Sequence, residues 1–227
     1  MSERKAGLVP GGEPTAEVRS HGPLPALVTT VIVFGLVLLA GVGLGAGISP
    51  HPSGPFAKCV TSTTLAPRTY AVAPGVCISK DRHYTAVIQT TQGSIGISFL
   101  GGPGRGAANN FIVLAANGYF NGLAFFKSQT WSIQSGDPTG TGRGGPGYTI
   151  PTADPISGDQ WAPGSLGMAQ LSDGNLSGGQ FFITKTAWPG GNPTTSYDHF
   201  ANVTSGIDVL GQLTAADRIV AVVLRAS

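Results

Sequence analysis

The sequence FFKSQTWSIQSGDPTGTGRGGPGY, residues 125–148, decides the fold of this 227-residue chain. Its start is strand-like and ends in Phe125, Phe126 and Lys127, and Trp131, Ile133 and Gln134 follow ahead of Ser135-Gly136-Asp137-Pro138. In its second part, five of the eight positions from Gly140 to Gly147 are glycine. Glycines this dense indicate a backbone that turns repeatedly or lies close to another part of the molecule. The stretch therefore predicts a strand followed by a tightly turning loop.

Further motifs surround this loop. They are YFNGLAFFK at residues 119–127, GDPTGTGRGGPGYTIP at 136–151, GSLGMAQ at 164–170 and GGQFFIT at 178–184. Together they resemble the cyclophilin family of peptidyl-prolyl isomerases, and the second and fourth are the closest matches. GSLGMAQ is similar to the family's Gly-x-Leu-Ser-Met-Ala-Asn, and YFNGLAFFK differs from its Tyr-x-Gly-x-x-Phe-His-Arg at the last two positions. The resemblance covers residues 85–224.

Composition narrows the class of protein. The formal net charge is +2, and no basic block with interleaved aromatic residues occurs. Nucleic acid is therefore not expected as a partner. The chain contains 35 glycines and 17 prolines with moderate apolar content, which favours a turn-rich β protein over a helical bundle.

The N-terminal part of the chain has a polar and an apolar segment. Residues 1–23 are polar and without period, so we predict a disordered tail. Residues 24–48 contain no charged side chain and are long enough to cross about 30 Å of hydrocarbon. A single transmembrane helix is favoured, and a cleaved secretory signal or a buried soluble helix are the alternatives. Basic residues precede this segment and only Lys58 follows closely, so the remainder is expected on the extracytoplasmic side.

Residues 49–83 are predicted to be a proline-rich linker, and they contain both cysteines, Cys59 and Cys77. Two lone cysteines in one short extracytoplasmic segment favour a disulfide over free thiols in a flexible tether. Their spacing fits no zinc pattern. Because a linker contributes no core, loss of this disulfide is expected to leave the folded domain almost unchanged.

The globular domain is predicted to span residues 84–227. Residues 94–99 alternate between polar and apolar, as a half-buried strand does. Residues 107–116 form a predicted helix that Gly118 ends, and the SGID pattern at 205–208 predicts a capping box that opens a second helix. Many short strands indicate a mainly β domain. The resemblance implies a closed eight-stranded antiparallel β-barrel, capped by two helices and preceded by the transmembrane helix.

No nucleophile, metal or cofactor site is expected in this domain. His199 and its neighbour Asp198 lack a Gly-x-Ser-x-Gly elbow, so His199 is interpreted as a surface-loop histidine and not as part of a hydrolase triad. The loop at residues 140–147 lacks the Gly-Lys-Ser/Thr end of a phosphate-binding P-loop. The chemistry must therefore be one that needs no metal and no cofactor.

Rotation about an X-Pro amide bond is such a reaction. Its barrier of about 18–20 kcal/mol comes from the partial double-bond character of the C–N bond. A catalyst needs an apolar cup for the proline ring, donors that hold the carbonyl, and a cationic donor aimed at the imide nitrogen. Because a pyramidal nitrogen has lost its resonance, that last hydrogen bond is stronger in the twisted transition state.

The resemblance assigns these roles to residues of this chain. It implies two catalytic residues, Lys127 at the family's Arg and Gln134 at its substrate-binding Gln. Phe126 stands at the preceding His, and Phe182 would form the floor of the proline cup. The other substrate-binding positions that it implies are Trp131, Ser132, Ala169, Gln170, Gln180 and Tyr197. The segment after Lys127 is one residue shorter than the family pattern, and Trp188 stands near the family's indole position but not at it.

The leading hypothesis is a membrane-anchored, extracytoplasmic and monomeric prolyl isomerase that acts on proline-containing segments of unfolded or flexible proteins. Its activity is expected to be reduced, because lysine offers a point charge on a flexible stem where arginine offers a planar fork of donors. The alternative is a binding module of the same fold that grips proline-containing peptides without useful catalysis. The change at Lys127, with its shortened neighbouring segment, is the feature that separates these hypotheses.

Overall fold

The computed structural model describes residues 54–61, 64–66, 68–102, 105–152, 161–189 and 197–227. The chain divides into two compact units, Met1–Ala46 and Gly47–Ser227, and all described residues belong to the second. The predicted tail and transmembrane segment lie outside the described residues. Within the described part, no helix is long and apolar enough to cross a membrane.

Strands form most of the regular structure in the described residues. In chain order they are β1 (Thr64–Ala66), β2 (Thr69–Tyr70), β3 (Tyr84–Thr90), β4 (Gly93–Phe99), β5 (Lys127–Ser128), β6 (Ser132–Ser135), β7 (Thr149–Ile150), β8 (Ser165–Gln170), β9 (Leu176–Thr184), β10 (His199–Ser205) and β11 (Ile219–Ala226). The helices are a short 3-10 helix, Ala57–Cys59, and the α-helices α1 (Arg105–Ala116) and α2 (Ile207–Gln212). The prediction of a mainly β domain with few helices is confirmed.

One antiparallel sheet organises the domain. Its strands follow the order β11-β3-β4-β10-β8-β9-β6-β5, with β7 added on β9, while β1 and β2 pair separately. The sheet is curled, so that its two edge strands approach each other. Ala124, just ahead of β5, forms a β-bridge with Arg218, just ahead of β11. In the described residues the two ends of the sheet meet only around this bridge and not along a continuous ladder. The closed eight-stranded barrel is therefore not confirmed, and the observed form is a curled sheet.

The core lies between the inner face of this sheet and α1. The apolar side chains of residues 94–99 are buried, as their alternation predicts. Helix α1 covers the predicted residues 107–116 and begins two residues earlier. Its Phe111 ring is fully buried, with its centroid 4.5 Å from that of Phe120 and 5.2 Å from that of Phe181. Aromatic rings packed at these distances stabilise a core beyond their buried area, and here they hold α1 against the sheet.

Helix α2 begins without the predicted capping box. Its N-cap is Gly206, with a φ of 76°, and no side chain caps the helix. Ser205 instead ends β10. A side chain at Gly206 would overlap the backbone carbonyl oxygen of Ser94. The glycine is therefore required by a close approach of two backbone segments and by its positive φ, and the local cap pattern was misleading.

The proline-rich segment does not behave as a linker, because several of its described residues, Phe56, Cys59, Tyr70, Cys77 and Ile78, pack in or against the hydrophobic core. Cys59 and Cys77 form a disulfide with a Cα–Cα distance of 5.1 Å. Cys59 is 1% exposed and belongs to the main hydrophobic core, and so does the buried ring of Tyr70. This finding corrects the expectation that the segment contributes no core.

Asn109 of α1 and Asn117, which directly follows α1, explain why this segment packs on the helix. The Asn109 side-chain oxygen accepts a hydrogen bond from the Cys77 backbone N–H at 2.8 Å. The Asn117 side chain donates to the Cys59 carbonyl at 2.8 Å and accepts from the Thr61 N–H at 3.0 Å. Buried backbone groups without strand partners need such replacements. The composition of the segment could not reveal these hydrogen bonds, since their asparagines lie about 30 to 60 residues away in the chain.

Removal of the disulfide should therefore destabilise the whole domain. We expect the double variant Cys59→Ser/Cys77→Ser to lose about 2–4 kcal/mol of unfolding free energy, because the bridge closes a loop and is anchored in the core. Denaturant unfolding of the full-length chain, followed by tryptophan fluorescence, measures the change. A transition midpoint equal to that of the oxidised wild type would show that the bridged segment is energetically separate from the domain.

Candidate active site

Four residues stand side by side across four neighbouring strands. Lys127 of β5 is in register with Gln134 of β6, and Gln134 is in register with Phe182 of β9. Phe182 in turn faces Gly167 of β8. Residues directly opposite each other in antiparallel strands point to the same face of the sheet. The row therefore places an ammonium group, a side-chain amide and an aromatic ring together on one face.

A cleft of about 1050 Å³ opens over this row. All ten residues predicted to be catalytic or substrate-binding line it, namely Phe126, Lys127, Trp131, Ser132, Gln134, Ala169, Gln170, Gln180, Phe182 and Tyr197. Its lining also includes Arg143 and Asp173, which the sequence did not single out. The volume is at the upper end of the range for ligand clefts, so the cavity has room for residues on either side of a bound proline.

Aromatic side chains form a cup in this cleft, and Phe182 is its floor. The Phe182 side chain is 5% exposed. Three rings surround it, with centroid distances of 6.1 Å for Trp131, 5.9 Å for Trp188 and 5.7 Å for Tyr197. The rings of Trp131 and Trp188 also contact each other, with centroids 4.8 Å apart. A cup of this composition suits an apolar ring such as that of proline.

Trp161 supports the cup, and sequence reasoning missed it. Its ring is buried and stacks on that of Phe182, with centroids 5.5 Å apart and planes at 22°. Gly167 makes room for this stack, because a Cβ there would stand 2.5 Å from Trp161 and 2.8 Å from Phe182. The family motif that GSLGMAQ resembles has Ser at this position. This chain therefore has Gly167 where the family motif has Ser. That difference was the signal in the sequence that an aromatic ring packs on β8.

A chain of hydrogen bonds fixes the polar wall of the cleft. Gln134 Nε2 donates to Gln180 Oε1 at 3.1 Å, and Gln180 Nε2 donates to the Gly144 carbonyl at 2.7 Å. Both glutamines lie on paired strands, and Gly144 lies in the glycine-rich loop. The two amides are therefore oriented without a ligand, which would reduce the entropy lost if one binds.

One carboxylate determines the shape of the glycine-rich loop. Asp137 is 1% exposed, and it accepts hydrogen bonds from the backbone N–H groups of Thr139 at 2.7 Å, Thr141 at 3.0 Å and Gly142 at 2.6 Å. Burial alone would raise the pKa of this carboxyl, but the hydrogen bonds from Thr139, Gly144 and Gly142 outweigh it and hold the pKa below its ordinary value. The loop is thus closed around an ionised side chain.

Lys127 reaches the cleft from an exposed edge. Both residues of β5 are exposed, and the Lys127 ammonium has no hydrogen-bond or ion-pair partner in the part of the chain that the structure describes. The neighbouring Phe126 ring lies 3.4 Å from the position that a Cβ of Gly142 would occupy, so the glycine-rich loop borders β5. Lys127 is therefore a solvent-facing donor at one side of the cleft, available to a ligand.

His199 is not the surface-loop histidine that the sequence suggested. It begins β10, it is buried, and its Nε2 lies 2.9 Å from Asn202 Oδ1. Its ring centroid is 4.6 Å from that of Trp161. The imidazole thus packs behind the aromatic cup. No group of three His, Cys, Asp or Glu side chains that could hold a metal ion occurs among the described residues.

Comparison with known proteins agrees with this geometry. The family described as cyclophilin type peptidyl-prolyl cis-trans isomerase/CLD matches residues 85–223. The chain belongs to the cyclophilin family. The match begins in β3 and ends in β11, so it contains the curled sheet and the cleft but not the disulfide-bridged segment.

Several peptidyl-prolyl isomerases are similar to this chain. A peptidyl-prolyl cis-trans isomerase of Helicobacter pylori is 33% identical over 145 residues, which are 63% of this chain and 87% of that protein. Peptidyl-prolyl isomerase CWC27 of Cryptococcus neoformans is 41% identical over 107 residues, which are 45% of this chain and only 22% of that longer protein. The crystal structure of a cyclophilin type isomerase from Cryptosporidium parvum superposes with a TM-score of 0.56 at 27% identity, covering 63% of this chain and 98% of that chain.

Gly167→Ala should damage the cup of this cyclophilin. The added methyl group would overlap Trp161 and Phe182, so we expect a loss of about 1–3 kcal/mol of unfolding free energy and weaker binding of a proline peptide. Thermal unfolding and peptide titration measure the two effects. Gly101→Ala is the matched control, because a Cβ at Gly101 meets nothing within 4 Å. Equal behaviour of the two variants would contradict the packing argument.

The Asp137 carboxylate should make stability depend on pH. Because its pKa is lower in the folded than in the unfolded chain, the ionised form stabilises the fold above about pH 4, and this contribution is lost as the pH falls through the folded pKa. The difference in unfolding free energy between wild type and Asp137→Asn should therefore be largest near neutral pH. It should become smaller in acid. Unfolding free energies measured between about pH 7 and pH 3 check this. A difference that stays constant would show that the charge does not hold the loop.

Proposed function

We propose that this cyclophilin is a peptidyl-prolyl cis-trans isomerase that acts on proline-containing segments of unfolded or flexible proteins. The observation that carries the proposal is the row in which Lys127, Gln134 and Phe182 stand in register on adjacent strands. This row supplies the cationic donor, the amide and the apolar floor that rotation about an X-Pro bond requires. The family match supports the same activity.

Binding precedes rotation in the proposed mechanism. The proline ring enters the aromatic cup over Phe182, where burial of its apolar surface holds one side of the X-Pro bond. The polar wall formed by Gln134 and Gln180 holds the peptide backbone on the other side. With both sides held, rotation about the imide bond becomes the main motion that remains to the bound segment.

Lys127 provides the acceleration in this mechanism. In the ground state the imide nitrogen shares its electron pair with the carbonyl and is a poor acceptor. In the twisted state the pair is localised, so an N–H donor aimed at the nitrogen stabilises the transition state more than the bound peptide. A lysine ammonium meets this nitrogen less rigidly than a guanidinium fork would, and we therefore propose a rate below that of an arginine enzyme.

We also propose that the domain lies outside the cytoplasm and is attached to a membrane through residues 24–48. The charge-free length of that segment supports an anchor, and the basic residues that precede it support this orientation. The disulfide between Cys59 and Cys77 is a bond that persists in oxidising compartments. The clients would then be proteins that fold beyond the membrane, and the domain would meet them as a monomer.

A binding module is the second candidate function. Two observations together favour it. The aromatic cup is buried and well packed, whereas Lys127 is exposed and its ammonium has no hydrogen-bond partner among the described side chains. Such a module would grip proline peptides through Phe182 and the glutamines without accelerating exchange. A crystal structure of the Cryptosporidium parvum cyclophilin was determined in the presence of the dipeptide Ala-Pro, and this sequence is a suitable probe for both functions here.

Substitutions in the row separate these functions. Lys127→Ala should lower kcat about 10- to 100-fold and leave peptide affinity nearly unchanged, because the lysine acts in the transition state. Lys127→Arg should hold or raise kcat, since a fork has more ways to meet the nitrogen. Phe182→Ala should lower both rate and affinity, because it removes the floor of the cup. NMR exchange spectroscopy on a short Ala-Pro peptide, with the full-length chain and these variants, measures all three.

Lys80→Ala is the control for a lost positive charge, because Lys80 is exposed and does not line the cleft. An unchanged rate in Lys127→Ala, beside a clearly active wild type, would remove the role assigned to this lysine. If the wild type binds the peptide without accelerating exchange, and only Phe182→Ala weakens binding, the protein is the binding module.

A further inference from the structure

The short segment between β5 and β6 is held at both ends by one residue, Lys185, which directly follows β9. Its backbone N–H donates to the Trp131 carbonyl at 2.7 Å. Its ammonium donates to the Ser128 hydroxyl and to the Leu213 carbonyl, both at 3.1 Å. Ser128 and Trp131 flank the segment that is one residue shorter than the family pattern, so Lys185 braces the place where this chain departs from its relatives.

The brace lies on the far side of the sheet from the peptide. Lys127 and Ser128 are consecutive in β5, so their side chains point to opposite faces. Lys127 lines the cleft, whereas Ser128 and Lys185 do not. Lys185 is half-buried, and burial lowers the pKa of its ammonium, as expected for a cation taken partly out of water. Lys185 therefore touches the back of the strand that carries Lys127.

Strand β5 needs support because it is a two-residue edge strand. Among the described strands it pairs only with β6, and both of its residues are exposed. A strand with so few contacts opens easily. Misplacing a reacting group by about 1 Å is enough to reduce a rate about 100-fold. Leu213, by contrast, is buried in the core, so its carbonyl is a rigid anchor.

We propose that Lys185 is a positioning residue for prolyl isomerisation. Its ammonium ties Ser128 to the Leu213 carbonyl, and this tie fixes β5 and holds Lys127 against the cleft. Its backbone N–H holds Trp131, the wall of the cup, and this contact does not depend on the side chain. The kinetic consequence rests on the proposed function, whereas the consequence for the order of β5 does not.

Two substitutions at Lys185 test the tie. Lys185→Met keeps the length of the side chain and removes the donor, so kcat for an Ala-Pro peptide should fall about 10-fold with little change in KM. Lys185→Arg keeps a cationic donor and should recover most of the rate. Lys80→Met, the same change at an exposed lysine outside the cleft, is the control. An unchanged kcat in Lys185→Met, beside a wild type that depends on Lys127, overturns the inference and leaves the proposed function standing.

A double-mutant cycle distinguishes positioning from a general structural effect. If Lys185 acts through Lys127, Lys185→Met should lower kcat no further once Lys127→Ala is present. If the substitution merely loosens the domain, it should reduce kcat by the same factor in both backgrounds, and that result overturns the inference.

Amide hydrogen exchange gives a readout that needs no activity. In the full-length chain, exchange in the ladder between β5 and β6 should become about 10-fold faster in Lys185→Met, with wild-type protection recovered in Lys185→Arg. If the wild type shows no isomerase activity, the proposed function fails. Hydrogen exchange alone then decides whether Lys185 orders β5. Equal protection in all three proteins overturns the tie between Lys185 and β5.

Discussion

Strand β9 is buried on both faces, and this constraint organises the fold and the cleft together. All nine of its residues are buried, and it pairs with β6, β7 and β8. Phe181 and Ile183 enter the hydrophobic core, whereas Gln180 and Phe182 line the cleft. A slip of one residue would exchange these two sets of side chains. The register that builds the core is therefore the same register that brings Phe182 beside Gln134.

Close backbone contacts around β9 explain why glycine-rich motifs carry so much of the signal. Gly136 has a φ of 94°, and a side chain there would overlap the Gly179 carbonyl oxygen. A Cβ at Gly178 would stand 2.5 Å from the Tyr148 ring. Other residues fit neither place without moving the strand. These glycines are needed for close backbone contacts rather than for flexibility.

The sequence predicts features that depend on neighbouring residues. It does not predict features that depend on contacts between residues far apart in the chain. The strand at residues 94–99 and the helix at 107–116 follow from local periodicity, and the ten cleft residues were implied by the resemblance to the cyclophilin family. The packing of the disulfide-bridged segment depends on Asn109 of α1 and on Asn117 just after it, which no local pattern in the segment reveals. Trp161 enters the site only because Gly167 leaves space for it, and this match becomes visible once β8 and β9 are paired.

The disulfide-bridged segment is also part of the support of the cleft. The Tyr70 N–H donates to the Pro146 carbonyl at 2.8 Å, in the same glycine-rich loop whose Gly144 carbonyl accepts from Gln180. On its other side, Asp137 closes this loop. The loop that orients the polar wall is thus held partly by residues ahead of the family match at 85–223. Because a loop held on one side only would leave Gln180 less firmly oriented, the support of the cleft in this cyclophilin begins before the family match at 85–223.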